Sequence, residues 1–286
     1  MDIYQNHPLA PYTTVKIGGP ADTFIVTNNT EEFIETLIKY SSQPLTIIGN
    51  GSNILVSDFG IRGIVIKNSA KEIEYLPNHQ VKVASGVMLP FLISDTISHS
   101  LAGLEEFAYI PSSIGGAIFG NIHGFNKNNF DKFLVSVEIF DLTTKSLKLY
   151  STKELTWDYD SSKFQSHPNW IIISATLQLL PGTTAVSQQI VTDIISKKSP
   201  VQSMNSLGSV FKNPPNDSAG RIIDQELHLK GYRLGDVQIS EKHANFILNL
   251  GHATAADYLT VIQKIQSEAK TKGLTLEPEI KFLGEF

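Results

Sequence analysis

Short apolar runs separated by turn residues dominate the first two thirds of the chain, and four-residue apolar spacing dominates the rest. Residues 24–27 read as a buried strand. A helix follows, capped by Thr30, with Glu31 and Glu32 in its first turn and Phe33, Leu37 and Ile38 as its apolar stripe. Residues 44–48, 54–56 and 63–66 read as further strands, which makes a small α/β unit. A hairpin is expected over 73–87, turning at Pro77-Asn78-His79. Pro90 suits the first turn of a helix carrying Leu92, Ile93 and Ile97. Residues 110–125 are rich in small residues, 110–121 read as a loop, and 134–140, 147–150 and 171–177 as strands.

Pro181-Gly182 breaks this pattern. Val186, Ile190 and Ile194 then recur every fourth residue, as on a helix. A helix from Ser218 carries Ile222, Ile223 and Leu227 and ends at Gly231. A last helix after Thr254 turns Leu259, Ile262 and Ala269 inward and stops at Gly273. The reading is a mixed α/β region over 1–182, itself two α/β subdomains divided near 67, and a smaller α+β domain over 183–286.

Composition narrows the chemistry. Of 286 residues, 41% are hydrophobic and 18% charged, enough apolar material for packed cores. The net charge is -5, from 23 basic and 28 acidic residues, which argues against a general nucleic-acid binder. There is no cysteine, so disulfides, thiolate metal sites and a cysteine nucleophile are excluded. No pair of histidines has metal-ligand spacing, and no metal is expected. No apolar run approaches the roughly 18 residues that span a bilayer, and no secretory signal opens the chain. The expectation is a cytoplasmic protein without membrane or nucleic-acid partners, monomeric or weakly oligomeric.

Four segments carry candidate chemistry. Gly49-Asn50-Gly51-Ser52-Asn53 follows a strand directly, and its amides would form either a phosphate-binding nest or a tight turn. Pro111-Ser112-Ser113-Ile114-Gly115-Gly116, with Gly120 and Asn121, leaves a surface free of side-chain bulk. A flat ring or a pyrophosphate could lie on it, or the glycines could serve close strand packing. Ser209, Lys212 and Asn213 place a hydroxyl, an ammonium and an amide together, or form a polar turn. Glu279, entering an apolar strand, is either a proton-transfer group or a solvated strand end. His243 reads as a core or rim histidine.

Taken together, these segments resemble the MurB family of UDP-N-acetylenolpyruvoylglucosamine reductases. The resemblance rests on six ordered motifs: Thr14–Ala21, Gly49–Val56, Gly103-Leu104-Glu105 with Ile110-Pro111 and Gly115–Ala117, Gly208–Pro214, Ser240–Phe246, and Leu276–Glu279. The short stretch between Pro214 and Ser240 resembles the type II form. The resemblance implies a vanillyl-alcohol-oxidase-type FAD-binding region followed by a substrate domain whose C-terminal tail returns to the active site. It implies a noncovalent FAD, NADPH as cosubstrate, and reduction of a UDP-sugar enolpyruvyl ether in peptidoglycan precursor synthesis. By the same resemblance Ser209 is the proton donor and Glu279 stabilises the enolate-like intermediate. Gly49, Asn50, Gly51, Ser52, Asn53, Pro111, Ser112, Ser113, Gly115, Gly116, Gly120 and Asn121 hold the cofactor. Tyr159, Lys198, Lys212, Asn213, His243 and Asn245 meet the substrate.

Two positions depart from the family pattern. Ser112 replaces an expected glycine and adds a side chain where the flavin's phosphates are expected. The motif Y-R-x-S-x-F reads Tyr159-Asp160-Ser161-Ser162-Lys163-Phe164, so Asp160 stands where the family's arginine faces the substrate carboxylate. Two like charges about 4 Å apart cost on the order of 4 kcal/mol at an effective dielectric near 20. Either Lys163, Lys198 or Arg221 replaces the missing cation, or the chain is a diverged FAD-binding paralogue with a different substrate or no reductase turnover.

Overall fold

A computed structural model describes residues 1–202 and 205–286. The chain divides into two compact units. One comprises residues 1–4, 24–50 and 63–198; the other comprises 5–23, 51–62 and 199–286. The division therefore falls at Lys198, sixteen residues beyond the expected boundary at 182, and two N-terminal segments join the second unit. Chain continuity, the only guide a sequence offers, does not reveal such returns.

In the first unit, Leu45–Ile48 runs parallel to Ile61–Asn68, with Leu45 beside Ile64 and Ile48 beside Lys67. The helix Thr30–Tyr40 precedes Leu45–Ile48. Its cap is Asn29, whose side chain accepts from Glu32 N, one residue before the expected Thr30. Phe33 and Leu37 pack with Ile25, Ile64, Ile66, Phe140 and Ile173. A second, antiparallel sheet follows the order Ser146–Ser151, Leu134–Asp141, Trp170–Gln178, Gln80–Ala84, Ile73–Leu76. The helices Leu89–Ser98 and Ile114–Gly120 contribute Leu92, Ile93, Ile114, Ala117 and Ile118 to its core.

The helix Ile114–Gly120 stands where a loop was expected. Three glycines in seven residues argue against a helix. The Ser113 hydroxyl caps it, and burial of Ile114, Ala117 and Ile118 at helical spacing overrides the low propensity. The helix Thr184–Gln202 exists and buries Ile194 as expected, but its first two turns face inward one residue later than expected. Val186 and Ile190 are exposed, while Ser187 and Ile194 are buried and Val191 packs against the core.

In the second unit a sheet follows the order Ser206–Ser209, Phe246–Asn249, Val237–Ile239, Arg233–Leu234. The helix Ala255–Thr271, capped by Thr254, packs Tyr258, Val261, Ile262, Ile265 and Ala269 with Val237, Ile239 and Ile247. The helix capped by Ser218 runs over Ala219–Arg221 and opens into a π turn over Ile222–Glu226, ending before the expected Gly231. Lys281–Leu283 pairs in parallel with Ile54–Val56.

Candidate active site

Within the first unit the structure brings the first glycine turn against the start of the second glycine segment. Asn50 Nδ2 donates to Pro111 O at 2.8 Å. A Cβ added to Gly49 would lie 2.3 Å from Ser113 Oγ. Only glycine permits this approach. Ser113 Oγ in turn accepts from Gly116 N, at 3.3 Å. Ser112 is buried, and its hydroxyl donates to Ser113 O at 2.9 Å, so the extra side chain turns inward. Gly115 packs tightly: its N–H donates to Ser85 O at 2.8 Å, and an added Cβ would lie 3.1 Å from Ser85 Cβ. Gly116 is exposed, and beside Gly120 the nearest atom to an added Cβ is 3.5 Å away. Asn121 is enclosed: its side chain accepts from Asp131 N and donates to Asp158 O.

Beneath this arrangement lies a residue that the sequence reading passed over. Lys67 Nζ donates to Gly49 O at 2.8 Å. Burial holds its pKa below the ordinary lysine value, and no carboxylate among the described residues lies within ion-pairing distance of it. The half-buried Lys67 ammonium thus places positive charge directly behind the first glycine turn. The available signal was a lysine inside the strand Ile61–Asn68, one residue before the buried Asn68.

In the second unit the motifs around Ser209 and Glu279 run side by side. Phe211 forms an antiparallel bridge with Pro278, Glu279 N donates to Val210 O at 2.8 Å, and Lys212 N donates to Glu277 O at 2.9 Å. Residue 209 thus ends the strand Ser206–Ser209 one residue before the backbone partner of Glu279. Gly208, at φ +76, lies in an irregularity of the pairing with Phe246–Asn249 that re-aims Ser209. Among the described residues nothing hydrogen-bonds the Ser209 hydroxyl. Asn53 Nδ2 reaches Glu279 O, and Asn53 O accepts from Lys281 N. Gly51, at φ +64, packs on Tyr12 and Thr13, and Ser52 beside it is half-buried.

The expected substrate contacts fall into two groups. Lys212 pairs with Glu277 at 2.6 Å, and Asn213, exposed, accepts from Ala219 N. His243 is an exposed rim residue stacked edge-on with Phe246, beside Gly220. Asn245 is buried against Phe211. In the first unit Lys198 Nζ lies over the rings of Tyr109 and Phe125, at 4.9 and 5.5 Å. Tyr159 stacks on His123 with ring centroids 4.9 Å apart. Within the first unit, neither Lys163 nor Lys198 forms an ion pair with Asp160. Its partner is His123, whose Nδ1 lies 2.8 Å from Asp160 Oδ1. Lys163 donates to Glu154 O, and Arg221 is held by Asp217 and Glu226. Among the described residues no cluster of histidines and carboxylates could hold a metal ion, and no helix is long and apolar enough to cross a membrane.

Two family models match. An FAD binding domain model covers residues 22–149, and the model of the C-terminal domain of UDP-N-acetylenolpyruvoylglucosamine reductase covers 199–283. The chain is 37% identical to the UDP-N-acetylenolpyruvoylglucosamine reductase of Chlamydia abortus, spanning 96% of this chain and 92% of that one. It is 37% identical to that of Levilactobacillus brevis, spanning 99% and 93%. The crystal structure of the reductase from Thermus caldophilus superposes with a TM-score of 0.84 at 32% identity, over 99% of this chain and 98% of that one.

Proposed function

The chain belongs to the MurB family of UDP-N-acetylenolpyruvoylglucosamine reductases, and from that membership we infer which of its residues perform the reaction. The reaction is the NADPH-dependent reduction of UDP-N-acetylglucosamine enolpyruvate to UDP-N-acetylmuramate, with FAD as cofactor, in peptidoglycan precursor synthesis. When bound, FAD supplies the hydride that NADPH has delivered to it. The double bond of the enolpyruvyl group gains that hydride at C3 and a proton at C2, while NADPH becomes NADP⁺.

The residues of the glycine loops fit such a cofactor. Asn50 lies against Pro111 and Gly49 against Ser113, the half-buried Lys67 ammonium supplies positive charge for a diphosphate, and Gly116 and Gly120 leave the helix surface bare. Gly51, Ser52 and Asn53 continue the first loop; Gly115 and Asn121 hold the second in shape.

Ser209 is the proton donor to C2. Its support is a hydroxyl that no described residue engages, next to the backbone partner of Glu279. Glu279 stabilises the negative charge that grows on the substrate before the proton arrives. Lys198, Lys212, Asn213, His243 and Tyr159 contact the UDP-sugar. Asn245 acts through the backbone that carries Ser209. The reaction runs in the cytoplasm, on a monomer or weak oligomer.

Anaerobic stopped flow tests this reading. NADPH should bleach the flavin, and the enolpyruvyl substrate should restore it. Ser209→Ala should leave the first phase intact and slow the second on the order of 100- to 10,000-fold. Bleaching that the substrate never reverses in the wild-type protein overturns the reading.

A further inference from the structure

We propose that Asn68 and Ser85 are positioning residues for the cofactor: they close a circuit of contacts that fixes the two glycine segments relative to each other before FAD arrives. The proposal rests on the assignment of those segments to FAD, and every residue it uses lies in the first unit. The segments meet directly where Asn50 Nδ2 donates to Pro111 O and Gly49 packs on Ser113. A second connection passes through the strand Ile61–Asn68. Successive side chains of a strand point to opposite faces. Lys67 and Asn68, neighbours at the end of this strand, therefore serve different partners. Lys67 Nζ donates to Gly49 O in the first segment. Asn68 Nδ2 donates to Ser85 Oγ at 2.8 Å, and Asn68 Oδ1 accepts from Ala70 N at 3.0 Å.

Ser85 carries the connection to the second segment. Its hydroxyl accepts from Asn68 and donates to Ile172 O at 2.7 Å, its N–H donates to Ile173 O at 2.9 Å, and its C=O accepts from Gly115 N at 2.8 Å. The chain beyond Ser85 then runs alongside the second segment. Ile114 N donates to Val87 O, Leu89 N donates to Ser112 O, and Met88 forms an antiparallel bridge with Ser113. The circuit thus runs from Gly49 through Lys67, Asn68 and Ser85 to Gly115, and returns through Ser113. Its packing leaves no slack. A Cβ on Gly86 would lie 2.5 Å from Ala70 N and 2.9 Å from Asn68 Oδ1. Asn68 and Ser85 are 6% and 5% exposed, so each acts through the backbone it holds and offers little surface to a ligand.

The chemistry of the pair suits this task. A buried amide and a buried hydroxyl are costly unless hydrogen-bonded, so a network that satisfies both favours one geometry. Apolar side chains of the same volume would fill the space without fixing the register, because apolar burial is non-directional. A cofactor that lies on two segments binds more weakly when their separation varies, since binding then includes the cost of ordering them.

The test titrates FAD into the full-length apoprotein, followed by flavin fluorescence, with the urea midpoint measured alongside. Ser85→Ala should lower FAD affinity by about 10-fold or more. Ser187→Ala is the control. Ser187 is also buried, and its hydroxyl donates to Glu105 Oε1, so the variant removes a buried serine bond of the same unit that is no part of the circuit. It should lower the urea midpoint yet keep FAD affinity within about 2-fold of wild type. Adding Asn68→Ala to Ser85→Ala should cost no further affinity, because the circuit is already open. If Asn68→Ala does not fold, the isosteric Asn68→Asp, which replaces the donor NH₂ by an acceptor, takes its place. Equal losses of affinity in Ser85→Ala and Ser187→Ala would assign a merely structural role to the pair and overturn the proposal. So would wild-type affinity in Ser85→Ala, or additive losses in the double variant. A wild-type apoprotein that takes up no FAD would overturn the assignment of the glycine segments, and the proposal with it.

Discussion

Asn245 holds Phe211 by both ends of its amide: Nδ2 donates to Phe211 O at 2.8 Å, and Oδ1 accepts from Phe211 N at 2.9 Å. Asn245 O also accepts from Val210 N. The side chain thus serves as a strand partner for the segment that leaves Ser209, two residues upstream. At 2% exposure it positions this backbone and has little surface to offer a ligand.

Asn245→Ala orphans a buried N–H and a buried C=O on Phe211. The expected cost is about 2–4 kcal/mol, read from the urea midpoint. Asn245→Asp, which keeps the acceptor and loses the donor, should also destabilise. A change within about 0.5 kcal/mol for both variants, typical of open surface sites, would refute the bracing role.

Gly49 and Ser113 set up a second prediction. The Cβ of Gly49→Ala would displace the Ser113 hydroxyl from its cap on Gly116 N. The variant should lose about 1 kcal/mol of stability, the usual value of a lost cap, together with FAD affinity. In the Ser113→Ala background the clash is gone, so adding Gly49→Ala should cost clearly less. Strict additivity in the double-mutant cycle would show that the two residues do not meet.

How much of this could be read from residues alone depended on the range of the interaction. The strands of the first unit's antiparallel sheet and the helix starts at Ser218 and Thr254 were legible from local pattern, whereas the short strands Ser206–Ser209, Val237–Ile239 and Phe246–Asn249 of the second unit were not. The helix Ile114–Gly120 was not, since its glycines disfavour a helix and only burial under the antiparallel sheet forms it. The motif around Ser209 and the one around Glu279 were each visible, but their backbone pairing joins residues nearly seventy positions apart. His123 looked like one scattered histidine among several, and its partner Asp160 lies 37 positions away.

Acid stability has an identifiable contributor. Lys148 Nζ, 2.6 Å from Asp141 Oδ2, holds that carboxyl down to about 2 from an ordinary 3.8, helped by the N–H groups of Thr143 and Thr144. A carboxyl depressed in the folded chain stabilises it above the unfolded value, and that contribution fades as pH falls toward about 2. The urea midpoint of the wild type should drop over this window by more than that of Asp141→Asn, which should already be lower at pH 6. Parallel curves would exclude the contribution.

Lys67 offers effects of opposite sign on folding and on binding. Burial lowers its pKa from 10.5, so the folded chain disfavours the ammonium. That penalty is fully present below the folded-state pKa and disappears as pH rises through 10.5, where the unfolded chain also loses the proton. Lys67→Met keeps the stem and removes the charge. It should leave the apoprotein as stable as wild type or more so, even without the bond to Gly49 O, and the gain should shrink toward alkaline pH. FAD affinity should fall about 10-fold, with a flatter salt dependence, because the diphosphate loses its counter-charge. Riboflavin, which has no phosphate, should bind both proteins alike. Equal losses for FAD and riboflavin, measured by fluorescence quenching, would mean that Lys67 only props up the turn at Gly49.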